Sequence, residues 1–355
     1  MLRKSETQIE IEKEKRLARE KSQQQLARDF SFFNKSGHHV IERQENAGNG
    51  HTNQNKRVKT TSQHQFVARR PGRGTNQIIN RKHEAYNNQI AIKAGVAPSV
   101  PWDKENGFRV TEWIENATPM THRMLTTAPK SSEHLMGVVD VLKKLHNWGG
   151  EPFANDVDIF DEIRKIKRLL KENGCPVAET SASSKLLEIE DILKTFSVTK
   201  VPCHNDTTAG NFILGNNNKM FIIDLEYSGN NNRIFDLSNL ARDCEFTRHN
   251  EDFMLRAYFG DELNDDIIRQ FLLFQPVAEY YWGLWCQLQV ANANEQSSNL
   301  YQMRDYGNKR MKNCYDLLDS ERIKAAIEGK VYQDKPVVVD DGVEKSRSLF
   351  SCCRR

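Results

Sequence analysis

The residues with the clearest chemical potential in this 355-residue chain lie between Val201 and Glu226. Asp206 stands in Cys203-His204-Asn205-Asp206, and Asn211 follows five positions later. Asp224 closes the apolar run Phe221-Ile222-Ile223, and Glu226 comes two residues after it. An Asp, an Asn five residues on, a hairpin and a second Asp form a layout suited to phosphoryl transfer onto a hydroxyl. That reaction asks for a carboxylate that orients the hydroxyl and accepts its proton. It also asks for hard oxygen ligands that hold Mg2+ against the phosphates. Asp206 meets the first need. Asn211 and Asp224 meet the second, because the hairpin between them folds the chain back on itself. Glu226, two residues along the same expected strand, shares the face of Asp224 and can reach the same metal or its water shell. His204 reads as a structural imidazole bonded within the loop, and Asn216 to Asn218 as the hairpin turn itself.

These residues need elements to carry them. The spacing predicts a hairpin of Asn211-Phe212-Ile213-Leu214 and Met220-Phe221-Ile222-Ile223 around Gly215 and three asparagines. Upstream, strand-like runs occur at Val40-Ile41-Glu42-Arg43, Arg57-Val58-Lys59, Gln65-Phe66-Val67-Ala68-Arg69 and Phe108 to Ile114. One helix is expected between Pro71-Gly72 and the stop at Gly95, with Ile78, Ile79, Ala85, Ile90 and Ala91 as its apolar positions. From Ser131 the pattern turns helical. Leu135, Val138, Val139, Leu142 and Leu145 share one face, and residues 158–172, 184–196 and most of 237–328 follow suit. The expected fold is α+β with two lobes, a small β-rich one and a larger helical one. The boundaries read as a charged extension at 1–37, an N-lobe at 38–116, a C-lobe at 117–328 and a tail at 329–355. The extension, with Glu and Lys or Arg three or four apart and few apolar residues, reads as helical or disordered, with a helix that docks on a partner or on the main domain as the rival.

Composition narrows the function classes. Lys+Arg is 51 against Asp+Glu 48, a net charge of +3, too balanced for a nucleic-acid binder. The most apolar stretch, Phe271 to Val290, is interrupted by Gln275, Pro276, Glu279, Gln287 and Gln289, so no transmembrane segment is expected. Met1 to Glu6 lacks the apolar run of a secretory signal. Seven cysteines without a zinc-like pair read as reduced thiols in a cytoplasmic protein.

The segment 202–240 resembles the choline/ethanolamine kinase family, within the wider aminoglycoside-phosphotransferase and protein-kinase-like superfamily. The matching text is Cys203-His204-Asn205-Asp206 through Gly210-Asn211-Phe212, Ile223-Asp224-Leu225-Glu226-Tyr227-Ser228-Gly229, and Phe235-Asp236-Leu237. Gly50-His51-Thr52-Asn53, Val67-Ala68-Arg69-Arg70-Pro71-Gly72 and Ile79-Asn80-Arg81-Lys82-His83-Glu84 extend the likeness, which spans about residues 38 to 315. The resemblance implies a protein-kinase-like fold, ATP as co-substrate and Mg2+ as cofactor. Asp206 would be the catalytic base, and Asn211 and Asp224 the metal ligands. Arg69 would be the phosphate-contacting cation of the third strand, with Glu84 as its partner from the first helix. Asn49, Gly50, Thr52 and Asn53 would form the phosphate-covering loop, offering backbone N–H groups to phosphate oxygens. Glu112-Trp113-Ile114 would be the hinge whose backbone meets adenine. Two departures stand out: Arg70 follows Arg69 where an apolar residue is usual, and His51 replaces a commonly apolar loop residue.

Trp282 and Trp285, three apart on one helix face, suit a quaternary ammonium, which aromatic faces hold best. By spacing alone the same stripe reads as core. The resemblance places both, with Tyr227, around choline, and puts Asp243 where an acidic residue faces the cation. Asp236 would brace the catalytic loop. The expected function is ATP- and Mg2+-dependent phosphorylation of choline to phosphocholine, an early step in phospholipid biosynthesis. The alternatives are a kinase of ethanolamine or of an aminoglycoside-like amine, and a non-catalytic binding protein on a kinase fold. Cys352 and Cys353, beside two arginines, read as exposed thiols, with lipidation and weak membrane association as the rival.

Overall fold

The computed structural model describes residues 45–49, 53–60, 62–71, 77–103, 106–293 and 300–331, with the backbone alone described for 45–49, 54 and 102. The strand expected at residues 40–43, the loop residues Gly50 and Thr52, and Cys352 and Cys353 lie outside the described residues.

Strands β1 (Glu45–Asn49), β2 (Gln54–Lys59), β3 (Gln65–Arg70), β4 (Trp102–Asp103) and β5 (Arg109–Glu112) form one antiparallel sheet in the order β1-β2-β3-β5-β4. Period-two alternation buries Phe66 and Ala68 of β3 on the core side. Arg69 points the other way and is buried too, at 7% exposure, because carboxylates receive it there. The N-lobe helix α1 (Arg81–Lys93) starts later than the pattern of Ile78 and Ile79 suggests. Asn80 caps it, accepting the N–H groups of Lys82 and His83, and Gly95 ends it at φ 74°, a left-handed angle glycine adopts freely. The capped start is what aims Glu84, in the first turn, back at the sheet.

Past β5 the chain crosses through a short β6 (Thr118–Pro119) into the helical lobe: α2 (His122–Thr126), α3 (Ser131–His146), α4 (Ile159–Glu172) and α5 (Ser181–Lys194). The expected pair Asn211–Leu214 and Met220–Ile223 appears as β8 (Phe212–Leu214) and β9 (Met220–Ile222), joined to β6 in a three-stranded sheet. β7 (Val201–Cys203) pairs with β10 (Gly229–Asn231), closing the chain around the loop that carries Asp206. Helices α6 (Arg233–Asp243), α7 (Arg248–Phe259), α8 (Asp265–Asn292), α9 (Leu300–Asp319) and α10 (Glu321–Ile327) complete the lobe.

The apolar stretch from Phe271 is the middle of α8, buried at every residue from Gln270 to Cys286. A helix covered on all sides belongs in a core, and α4, α6 and α9 supply the cover. Glycines let α9 approach it: a Cβ at Gly307 would lie 2.7 Å from Cys286 Cβ, and one at Gly283 would lie 2.6 Å from Met311 Sδ. No helix among the described residues is long and apolar enough to cross a membrane. The described cysteines, Cys175, Cys203, Cys244, Cys286 and Cys314, form no disulfide.

Candidate active site

The loop between β7 and β8 is held by one buried carboxylate. Asp236, in the first turn of α6, accepts the backbone N–H of His204 at 2.8 Å and of Asn205 at 2.7 Å, and also bonds His146 Nε2 at 2.9 Å. Thr207 Oγ1 donates to the Asp236 carbonyl at 2.6 Å. Asp236 thus braces the loop, and Asn205 tolerates a left-handed φ of 64° because its side chain is pinned to the Tyr227 carbonyl at 3.1 Å. His204 is structural. Its Nδ1 accepts the Asp206 N–H at 3.2 Å, which leaves Nε2 to donate to the Ile223 carbonyl at 2.8 Å. Burial lowers its pKa, keeping the ring neutral. One imidazole therefore fixes Asp206 relative to Asp224.

Asp206 and Asn211 meet across the 3-10 turn Ala209–Asn211. Asn211 Nδ2 donates to the Asp206 carbonyl at 2.9 Å and to its Oδ2 at 3.2 Å. That orientation leaves Asn211 Oδ1 as the atom able to ligate a cation. Burial, then the charges of Asp224, Asp243 and Glu226, raise the Asp206 pKa well above the usual carboxylate value. A carboxyl group pushed upward in this way is a stronger base at neutral pH than a free aspartate.

Asp224 and Glu226 come together differently from the expectation. The strand ends at Ile222, Asp224 takes a left-handed φ of 62°, and Leu225–Tyr227 is a 3-10 turn. The shared direction of the two side chains comes from that turn, not from strand alternation. Carboxylate oxygens of Glu84, Asp224 and Glu226 lie within 4.8 Å of one another. Three arginines compensate them. Arg69 bonds Glu84 closely and reaches Asp224 Oδ1 at 2.6 Å. Arg81 bridges Glu84 at 2.8 Å and Glu226 at 3.2 Å, and Arg109 reaches Glu84 at 3.1 Å and Asp103 at 2.7 Å. Burial opposes ionisation of Glu84, yet Arg69, Arg109 and Arg81 overcome it and bring its pKa down to about 2. Burial and Asp224 push Glu226 the opposite way, up to about 7. Arg81 and Arg109 carry roles that strand and helix patterning did not assign; the i,i+3 spacing of Arg81 and Glu84 was the available signal for the first.

Of the expected phosphate-covering loop, Asn53 is described. It is buried and donates to Glu226 Oε2 at 3.2 Å, while its own Oδ1 has no hydrogen-bond partner. Asn49 ends β1. At the expected hinge, β5 stops at Glu112, whose N–H donates to Ser99 at 2.9 Å, and the Trp113 N–H donates to Gln65 at 3.0 Å. The guanidinium of Arg57 lies 4.2 Å from the Trp113 ring centroid, and the Ile114 carbonyl accepts from Ala117 at 3.2 Å. Ile114 packs onto Gly215, where a Cβ would stand 2.7 Å from it, so the hairpin turn fits under the hinge only without a side chain.

Tyr227, Trp282 and Trp285 form one aromatic group. Tyr227 meets Trp282 edge-on with centroids 5.5 Å apart and Trp285 at 6.5 Å, and the two indoles are 5.7 Å apart. Trp285 Nε1 donates to the Tyr227 hydroxyl at 2.8 Å, and Trp282 Nε1 to Asn239 at 2.7 Å. These bonds fix ring orientation and satisfy the polar edges. Asp243 sits differently from an open cation ligand. It accepts the Ala209 N–H at 3.0 Å, pairs with Arg310 at 3.0 Å and meets His122 at 3.2 Å. Burial would raise its pKa, but His122, Arg310 and the Ala209 N–H lower it.

A two-lobed fold with a sheet-borne cation paired to a helix carboxylate, and an Asp–Asn–Asp loop beneath it, defines a protein-kinase-like phosphotransferase. The sequence model of the choline/ethanolamine kinase family matches residues 45–254. The chain belongs to that family and is a small-molecule kinase. It is 29% identical to Protein LicA of Haemophilus influenzae over 266 residues, covering 72% of this chain and 94% of the relative. Among solved structures it resembles choline kinase LicA of Streptococcus pneumoniae, with TM-score 0.66 and 24% identity over 79% of this chain and 94% of that one. It also resembles an ethanolamine kinase of Plasmodium vivax, with TM-score 0.66 and 20% identity over 81% and 84%.

Proposed function

We propose that this protein transfers the γ-phosphoryl group of ATP to the hydroxyl of choline, releasing phosphocholine and ADP. The observation that carries the choice of acceptor is the aromatic group of Tyr227, Trp282 and Trp285 beside the Asp206 loop. Aromatic faces attract a quaternary ammonium through the ring quadrupole, and Trp does so most strongly. The LicA relatives, one of them described as a choline kinase, support the same choice.

In this reading Asp206 accepts the acceptor's hydroxyl proton as the new O–P bond forms and the bond to the ADP oxygen breaks. Asn211 Nδ2 holds the Asp206 carboxylate in place. Arg69, fixed by Glu84, presents its guanidinium to the phosphates. The donor set suits Mg2+. Asp224, Glu226 and Asn211 offer hard oxygens, and Mg2+ sites typically combine one or two carboxylates with phosphates and water. Bound there, the ion would neutralise charge on the phosphates. Asp224 and Glu226, which pair with Arg69 and Arg81, would be the carboxylates that hold the ion.

The test is ATP consumption with Mg2+ and choline, ethanolamine, an aminoglycoside or no acceptor, with Asp206→Asn as control and phosphocholine identified by phosphorus NMR. Choline-dependent turnover that disappears in Asp206→Asn is the expected result. Turnover with an aminoglycoside alone would overturn the choice of acceptor. ATP binding without turnover on any amine would overturn the catalytic reading.

A further inference from the structure

Beside the aromatic group lies a cavity of about 320 Å³ between the start of α1, the start of α4 and the Glu226–Ser228 turn. That is at the small end of the range of about 300–1,000 Å³ for small-molecule sites. Tyr227 and Tyr281 line it, together with the carboxylate-bearing Glu162 and Glu226, and it reaches Asn205, one residue before Asp206. Tyr281 is the unexplained member. It is 4% exposed, and its ring packs edge-on against Trp282 with centroids 4.9 Å apart. Its hydroxyl has no hydrogen-bond partner among the described residues, although its neighbours on α8 and the facing turn are paired: Trp282 with Asn239, and Trp285 with Tyr227. Tyr281 lines the cavity and its hydroxyl is not sealed in the interior, so a ligand that enters the cavity can supply the bond. Burial, with Glu162 and Asp206 adding to it, keeps the phenol protonated, so its oxygen offers lone pairs to a donor.

We propose that Tyr281 is a specificity-determining residue of the acceptor cavity: its hydroxyl oxygen accepts an N–H from the acceptor's ammonium group and thereby sets the preference between ammonium alcohols that carry N–H and those that are fully methylated. The proposal rests on the reading of this protein as a kinase of an amine alcohol. Ethanolamine carries three N–H donors, and choline carries none. The aromatic group attracts both cations and favours the methylated one, whereas the Tyr281 oxygen works in the opposite direction, bonding ethanolamine and remaining unpaired beside the methyl groups of choline. Glu162, on the same cavity wall, pairs with Lys165 of the same helix at 3.3 Å, so it adds little net charge for either amine and discriminates little.

The experiment compares unmodified protein, Tyr281→Phe and Tyr280→Phe, each as the full chain. Ethanolamine is measured as substrate or as competitive inhibitor of choline turnover. Tyr280 is on the same helix but lines a separate groove with Phe160 and Leu186, so its phenol serves as the control. In Tyr281→Phe the ethanolamine kcat/KM, or its inhibitory affinity, is expected to fall about tenfold. Choline kcat/KM stays within twofold or rises, KM for ATP is unchanged, and Tm does not drop because an unpaired hydroxyl has been removed. Tyr280→Phe should leave the ethanolamine-to-choline ratio alone. A ratio shifted less than twofold in Tyr281→Phe, or an equal loss for both amines with a lower Tm, overturns the proposal. Failure of the unmodified protein to turn over or bind either amine overturns the acceptor reading itself, and the proposal with it.

Discussion

Two buried charge clusters flank Asp206, and they are built to different ends. On the side of the proposed nucleotide site, Arg69, Arg81 and Arg109 share Glu84, Asp224, Glu226 and Asp103. Its pairs cross between the sheet, α1 and the Asp224–Glu226 turn, so they join the two lobes. On the side of the proposed acceptor site, Arg310 and Arg242 share Asp243 and Glu279 entirely within the helical lobe. The first cluster holds a carboxyl group lifted to about 7 and another, Asp224, whose side chain is 31% exposed. Asp243 in the second is driven the other way, into its ionised form. A cluster with a reluctant carboxylate can exchange an arginine for a cation. A cluster whose carboxylates are fully satisfied positions its neighbours, here the Ala209 N–H at the end of the Asp206 loop.

The largest effect should come from the residue between the clusters. Asp206→Asn is expected to lower kcat by roughly 10²–10⁴ with little change in Tm, read by steady-state kinetics and thermal denaturation. Next come single losses from either cluster. Glu84→Gln strands arginines in the interior and should cost about 3–5 kcal/mol, seen in denaturant titration, with a higher KM for ATP. Arg310→Met should cost a similar amount by stranding Asp243 and Glu279, but it should lower kcat while leaving KM for ATP in place. If both variants moved KM for ATP alike, the division between the clusters would fail.

The pH dependence sharpens the comparison further. Glu226 has a folded pKa raised from 4.5 to about 7, so the folded state binds its proton more tightly than the unfolded chain. Its contribution to stability is present below about pH 4.5 and is lost as pH rises through about 7, on the order of 3 kcal/mol in all. Metal-free protein should therefore lose stability between pH 5 and 8, and Glu226→Gln should flatten that slope. Added Mg2+ should flatten it too, by favouring the ionised carboxylate. The smallest effect belongs to His122, whose side chain is 57% exposed beside Asp243. His122→Ala should change stability by less than about 1 kcal/mol, because Arg310 already holds Asp243.

The linear sequence was informative where local spacing governs structure. Asp206, Asn211 and Asp224 were legible because a loop, a short hairpin and a turn fall within nineteen consecutive residues, from Asp206 to Asp224. His204 as a structural ring was read from the loop just before Asp206, whereas the bracing role of Asp236, twelve residues beyond Asp224, came with the family resemblance. The C-lobe helices were legible from their apolar periodicity. The helix start was missed by several residues because Ile78 and Ile79 are apolar without being helical, and Asn80 sets the true beginning. The direction of Glu226 was assigned to a strand that stops at Ile222, since a 3-10 turn leaves no period in so few residues.

By itself, then, the sequence determined the class of chemistry and the fold that carries it: the Asp–Asn–Asp loop, the strand-borne Arg69 and the first-turn Glu84. Tertiary structure alone decided the state of each charge. Nothing in the spacing shows that Glu84 gathers three arginines from three elements, that Asp243 is spent on Arg310 from a helix 67 residues away, or that the Tyr281 hydroxyl faces a cavity without a partner. Those facts depend on which groups meet in the interior, where burial magnifies every charge and every missing hydrogen bond, and such meetings are long-range in the chain.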